Sequence, residues 1–348
     1  MKYYTENHRY YCGVDLHSKN MYLCVMDSDG KILIHRRIGN DPKYFLKLLH
    51  PFNDDLAVCC ESTFNYYWLY DVCCTNNITF ILAHALNVKA IHGAKTKNDK
   101  IDSEKLSRLL RAQLIPIAYS YPQEMRAARD LMRRRTHFVC SRAALIGHVK
   151  IVNMQYNLPS LKIDMRYPSK HEKVLKQFKF DENIHSSVKA DLDLVCSYKT
   201  VISNLENKIL EKAKAHKKTD LDILLSIKGV GKIISLTILY EINNINRFSS
   251  VQNFASYSRL VKCPHTSNGK KYGYGNAKMG NPYLKWIFSE MVISVPRYNP
   301  AIQKKLERLE KKYGKSKGKT ILAHKLGRAV YYMLKNKEDF KEEKFLQT

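Results

Sequence analysis

Short apolar runs alternate with polar turns over the first third of the chain, and their lengths suit strands. Tyr11-Cys-Gly-Val-Asp15, Met21-Tyr-Leu-Cys-Val-Met26 and Lys31-Ile-Leu-Ile-His35 are three such runs, the last two separated by an Asp-Gly turn. That spacing predicts an antiparallel meander. A helix is predicted over Pro42 to His50. Leu56-Ala-Val-Cys-Cys60 is a continuous apolar run of buried-strand length, followed by an aromatic helix around Tyr66-Tyr-Trp-Leu-Tyr70 and another strand at Ile78-Thr-Phe-Ile-Leu82. A last helix opens near Asp99.

Beyond Pro116 the period changes. Pro122 to about Leu158 reads as a long basic helix carrying Arg126, Arg129, Arg133, Arg134, Arg135 and Arg142, with Arg133 and Arg134 as nucleic-acid contacts, and Pro159 and Pro168 break the chain after it. From Ile184, Val188, Leu192, Val195, Tyr198, Ile202, Leu205 and Ile209 recur at steps of three and four, an amphipathic helix of coiled-coil length. The pair suggests a helical hairpin, which either packs on itself within one subunit or serves as a dimerisation arm. Further on, Gly229-Val-Gly231 lies between two apolar helical segments, the pattern of a helix-hairpin-helix turn. There Lys228, Gly229, Gly231 and Lys232 would meet a phosphate, although a tight turn has the same pattern. Pro264-His-Thr-Ser-Asn-Gly-Lys-Lys271 continues through Gly273 and Gly275 to Lys278 and reads as a flexible basic loop, with Lys270, Lys271 and Lys278 as phosphate contacts. Lys304 to Lys325 reads as a solvated helix and linker, or else a nucleic-acid arm.

The expected organisation is an α/β domain over 1–115, a helical, coiled-coil-like middle over 116–216, a mainly helical domain over 217–335 and a tail over 336–348. Length of 348 residues and hydrophobic content of 45% allow each domain a core. Charge narrows the function: 59 Lys and Arg against 32 Asp and Glu leave a net +27, spread along the chain as in a protein that holds polyanion over an extended surface. A membrane surface would attract the same charge, yet no apolar stretch of about 18 residues exists and Met1-Lys-Tyr-Tyr-Thr-Glu-Asn-His8 has no apolar leader. A soluble cytoplasmic protein is expected. The nine cysteines, odd in number and without a C-x-x-C pattern, read as reduced core residues.

The order βββαβαβα is that of a ribonuclease-H-like fold, in which the first and fourth strands are neighbours. Asp15 and Glu61 would then fall close together. The final helix would add Asp99 and Asp102, three apart and so on one face of its first turn, in the basic segment Ala94-Lys-Thr-Lys-Asn-Asp-Lys-Ile-Asp102 with Lys97 and Lys100 as nucleic-acid contacts. Singly these acids also suit a strand-end turn, a cap or an ordinary first helical turn. Four converging carboxylates repel one another unless a cation intervenes, and oxygen ligands favour Mg2+ or Mn2+, ions suited to phosphodiester chemistry.

Gly13-Val-Asp-Leu-His-Ser-Lys19, Glu61-Ser-Thr-Phe-Asn-Tyr-Tyr-Trp68, Asn87-Val-Lys-Ala90, Lys97-Asn-Asp-Lys-Ile-Asp102, Ile227-Lys-Gly-Val-Gly231, Phe254-Ala-Ser-Tyr257, Thr266-Ser-Asn-Gly-Lys270 and Lys278-Met-Gly-Asn281 occur in that order. As a set they resemble the DEDD-type insertion-sequence transposases, the family that includes the Piv and MooV invertases, with a RuvC-like N-terminal domain and a C-terminal transposase domain. The resemblance implies that Asp15, Glu61, Asp99 and Asp102 form a metal-binding tetrad, and that Ser267 is a nucleophile giving a phosphoserine link to DNA. It also implies a structured noncoding guide RNA pairing with donor and target DNA, a homodimer assembling into a homotetramer, and a nucleoid-associated location. Phe64 stands where a glycine is usual, Asn98 where a threonine is common, and Thr266-Ser-Asn-Gly replaces Ser-Ser-Gly-Gly, which leaves Thr266 as the alternative nucleophile. Two other classes would share these features in part: a RuvC-like junction nuclease with water as nucleophile, and a non-catalytic nucleic-acid-binding protein.

Overall fold

The computed structural model describes residues 2–91, 98–213, 218–275 and 279–347, which fall into two compact units, Met1–Gln123 and Glu124–Thr348. In the first, β1 (Tyr10–Leu16), β2 (Asn20–Asp27), β3 (Ile32–Gly39), β4 (Leu56–Glu61) and β5 (Thr79–Ala83) form one sheet in the order β3-β2-β1-β4-β5. β2 runs antiparallel to both of its neighbours, and β4 runs parallel to β1 and β5. This is a mixed α/β domain consistent with a ribonuclease-H-like layout, and its strands fall where the apolar runs predict them. β3 is the exception: its apolar run ends at His35, yet pairing with β2 continues to Gly39 because the partner strand extends to Asn20. Arg36 and Arg37 are exposed there, as suits an edge strand.

Alternation along the central strands sorts the core into two layers. Cys12, Val14, Val58 and Cys60 pack with Phe45 and Leu49 of α1 (Pro42–Leu49) and Leu69 of α2 (Tyr67–Thr75). Tyr11, Ala57 and Cys59 face the other way, against Val88 of α3 (Ala85–Ile91) and Leu106, Leu109 and Leu110 of α4 (Asp99–Arg111). By the same parity Asp15 and Glu61 belong to the α4 face. α4 lies close on β1 because Gly13 carries no side chain: a Cβ there would sit 2.2 Å from the Ser103 carbonyl oxygen.

The second unit opens with α5 (Gln123–Gln155) and, after α6 (His171–Leu175), α7 (Glu182–Ala213). The two long helices pack against each other within the chain. Val149 and Val152 meet Val188 and Leu192, Met132 shares a core cluster with Ile209, and Arg135 pairs with Glu206 at 2.7 Å. The hairpin is thus closed by contacts within one chain. Several arginines of this basic helix are turned to structural use, with Arg126 and Arg129 buried.

α8 (Lys218–Leu225), α9 (Lys232–Ile242), α10 (Val251–Tyr257), α11 (Pro282–Tyr298), α12 (Pro300–Tyr313), α13 (Lys315–Asn336) and α14 (Glu342–Gln347) build the largest core, with Phe254, Phe288 and Leu326 fully buried. Asn281 and Asn299 cap α11 and α12, each followed by proline at the first helical position. The last residues are packed, since Phe345 is buried. The segment read as a flexible basic loop is instead a hairpin of β6 (Cys263–Ser267) and β7 (Lys270–Gly275). Asn268 and Gly269 make its two-residue turn with φ of +47° and +69°, the left-handed pair of a type I′ turn. Among the described residues no helix is long and apolar enough to cross a membrane.

Candidate metal centre

The register of the parallel pair fixes the first acids. Val14 stands opposite Cys60, so Asp15 and Glu61 each lie one residue beyond, at the ends of neighbouring strands. α4 supplies the next. Its cap is Asn98, whose side chain accepts from the Lys100 amide, and Asp99 and Asp102 occupy the first turn, where the helix dipole favours carboxylates. Asn98, the departure from the family's usual threonine, thus still caps the helix.

His17 completes a cluster that the sequence reading did not assign. Its Nε2 lies 3.2 Å from Asp15 Oδ2 and 3.4 Å from Asp99 Oδ2, and donor atoms of Asp15, His17 and Asp99 all fall within 4.8 Å of one another. The signal was a histidine two residues after the acid, at the strand end where side chains leave the sheet. The His17 backbone is fixed from both sides: its carbonyl accepts from Asn40 at 2.9 Å and from Asn65 at 2.7 Å. The Asn65 bond ties the loop after β4 to this turn, and Phe64 in that loop is 83% exposed. Glu61 and Asp102 do not belong to the group of three.

Burial raises the Asp15 carboxyl above the ordinary aspartate range; His17 opposes the shift, and the charges of Asp102 and Asp99 add to it. Two acids sharing one imidazole, with the charge of Asp102 near enough to act on Asp15, make an environment that a divalent cation would relieve. Carboxylate oxygens suit Mg2+ and Mn2+, and a nitrogen donor leans towards the latter.

Other residues expected to touch nucleic acid are placed variously. Lys97 and Lys278 lie outside the described residues. Lys100, Lys228, Lys232, Lys270 and Lys271 are exposed. Arg133 is only partly exposed: it donates to both oxygens of the buried Glu241, at 2.6 and 2.9 Å, and lies over the Tyr283 ring, while Arg134 stands over Phe138. Arg129 and Asn281 complete the Glu241 site at 3.1 and 2.7 Å. Burial alone would raise the Glu241 carboxyl, but its bonds to Arg133 and the charge of Arg129 hold it below the usual glutamate range. Gly229 is explained by packing, since a Cβ would meet the Ser294 carbonyl oxygen at 2.8 Å, whereas Gly231 opens to solvent at the start of α9. Ser267 is exposed, paired with Lys270 across the turn.

Comparison with known proteins gives the family. A family model described as transposase, named for the DEDD domain of IS110 elements, matches residues 12–152, and one described as transposase of the IS116/IS110/IS902 family matches residues 221–307. The chain is 22% identical over 339 residues to the transposase for insertion sequence element IS1111A of Coxiella burnetii, covering 94% of this chain and 90% of that protein. It is 24% identical over 250 residues to the transposase for insertion sequence element IS1533 of Leptospira borgpetersenii, covering 70% and 71%. The chain belongs to the IS110 family of DEDD transposases, enzymes that cut and rejoin DNA.

Proposed function

We propose that this transposase breaks and reseals DNA with a metal-binding acid cluster and a serine nucleophile, the target being chosen by an element-encoded noncoding RNA. The observation that carries the reading is the meeting of Asp15, His17 and Asp99 from two separate elements within 4.8 Å. Asp15, Asp99, Asp102 and Glu61, with His17, would hold Mg2+ or Mn2+, which when bound stabilises charge developing on a phosphodiester. Asp15 and Asp99 supply the closest oxygens, His17 orients between them, and Asn40 and Asn65 keep the His17 turn in place.

Ser267 forms the covalent link in this proposal. Its Oγ–P bond forms as a P–O bond of the strand breaks, the hydroxyl proton passing to solvent and the leaving oxygen taking one up. Support comes from its exposure beside a two-residue turn, with Lys270 and Lys271 following. Lys100, Lys228, Gly231, Lys232, Lys270 and Lys271 are assigned to phosphate contacts, and Arg133 to the Glu241 pair. Residues 1–115 form the RuvC-like catalytic domain, 116–216 the arm through which dimers and tetramers assemble, and 217–335 the transposase domain.

The test is cleavage of the element's junction DNA, with its flanking RNA and Mg2+, followed by denaturing gels for a protein–DNA adduct. The adduct should vanish in both Ser267→Ala and Asp15→Ala. Cutting by Ser267→Ala alone would instead make water the nucleophile.

A further inference from the structure

One cavity of the second unit has no part in the site above. It holds about 510 Å3 between α13 and the chain leading into α14. Its residues, 321 to 345, lie beyond residue 307, where the second family match ends. α13 presents His324, Arg328 and Tyr332 to it at steps of four, one face of the helix. Met333, Phe340 and Phe345 give it an apolar floor. The α14 wall is fixed, because Lys305 donates to the Phe345 and Leu346 carbonyls at 3.0 and 2.9 Å.

The chemistry of this lining is selective. Burial, with Arg328 and Lys325 close by, pushes the His324 imidazole below its ordinary value, so the ring is kept neutral in a positive surrounding. Arg328 lies over the Tyr332 ring, 6.0 Å from its centre, which places a cation and an exposed aromatic side chain together. Glu338 is matched by Lys341 at 2.9 Å, and Asp339 remains at the rim as an acceptor. An apolar floor alone would suit an alkyl chain and a basic rim alone would suit any anion. A floor, an aromatic wall and a cation together suit a flat heterocycle carrying a phosphate.

We propose that this cavity binds an unpaired nucleotide of a nucleic-acid strand, its base against Tyr332 and the apolar floor and its phosphate on Arg328. A strand rather than a free nucleotide is the occupant because the whole chain carries +27, which draws a polyanion to the cavity mouth.

The experiment is fluorescence anisotropy of a labelled six-nucleotide oligoadenylate with the full chain in buffer free of divalent cations, so that the acid cluster contributes nothing. Tyr332→Ala and Arg328→Glu should each weaken binding by about tenfold, the size of one lost base–aromatic stack. Lys311→Glu, a charge change on the exposed face of α12, should weaken it far less, and AMP should not displace the oligomer at equal concentration. Unchanged binding in both cavity variants, or an equal loss in Lys311→Glu, would overturn the site, and displacement by AMP would overturn the strand as its occupant. Because Tyr332 is exposed, its replacement leaves the core intact. Crosslinking of a thio-substituted oligomer to α13 gives an independent reading: labelled peptides from 321–336 are expected, and label confined to other peptides would count against the cavity.

Discussion

The Gly13 amide donates to the Ser107 hydroxyl at 2.6 Å, and that hydroxyl donates in turn to the Cys24 carbonyl at 2.6 Å. The bond holds α4 to β1 and β2, and with it the end of α4 that carries Asp99 and Asp102. Gly13→Ala places a Cβ 2.2 Å from the Ser103 carbonyl oxygen and 2.5 Å from the Ser107 amide, both backbone atoms that cannot rotate away. The helix must retreat. Overpacking of this kind should cost about 1–3 kcal/mol in urea denaturation. Ser107→Ala adds no bulk and removes only the hydroxyl bridge, since Gly13 and Cys24 already face each other in the β1–β2 ladder, so it should cost less, about 0.5–1.5 kcal/mol.

Metal binding should be visible as stability. Asp15 is disfavoured as a carboxylate by burial and by Asp102 and Asp99, so Asp15→Asn should melt at or above the wild-type temperature without added metal. Saturating Mn2+ should reverse the order. At a hundredfold excess over Kd a bound ion adds about 2.7 kcal/mol to the native protein, and the variant should gain far less. Differential scanning fluorimetry of both proteins, with and without Mn2+, decides the matter; equal gains would remove Asp15 from the ligand set.

Much of the first unit was legible because its physics is local. Runs such as Leu56–Cys60 are buried on both faces, and alternation around Asp15 and Glu61 fixes their side of the sheet. The misses are of two kinds. Asn268-Gly269 between alternating residues is a strong hairpin signal, but the surrounding glycines and lysines made the segment read as a flexible loop. Arg133 and His17 depend on partners far away in sequence: Glu241 draws Arg133 inward, and only the fold brings Asp99 to His17. A basic helix reads as a polyanion surface until its buried acid is known. The cavity under α13 was similarly hidden, since its floor is assembled from α13 and the segment read as a tail.

Glu241 joins α5, α9 and the cap of α11 through Arg129, Arg133 and Asn281. Glu241→Gln leaves two arginines without their buried counter-charge and should cost about 3–5 kcal/mol at neutral pH. The pH dependence has a defined sign. The folded carboxyl is held below its unfolded value near 4.5, so its contribution is complete above that pH and is lost as pH falls through the lower, folded value. The gap in urea midpoint between wild type and Glu241→Gln should therefore be widest at neutral pH and close below pH 4.5. A gap independent of pH would assign the loss to packing.

The turn beneath Ser267 separates presentation of the hydroxyl from its chemistry. Gly269 has a φ of +69°, and a residue with a side chain there pays roughly 1–2 kcal/mol in the left-handed region. Gly269→Val should therefore open the register that pairs Ser267 with Lys270 and lower covalent adduct formation, although the nucleophile itself is kept. Gly269→Asn tolerates positive φ and should retain most of the activity. Ser267→Ala should abolish the adduct and Thr266→Ala should spare it, since these two residues point to opposite faces of β6. Quantified on denaturing gels, the expected order is wild type, Thr266→Ala and Gly269→Asn above Gly269→Val, with Ser267→Ala at background. Loss of the adduct in Thr266→Ala with its persistence in Ser267→Ala would move the attacking oxygen one residue back along the strand.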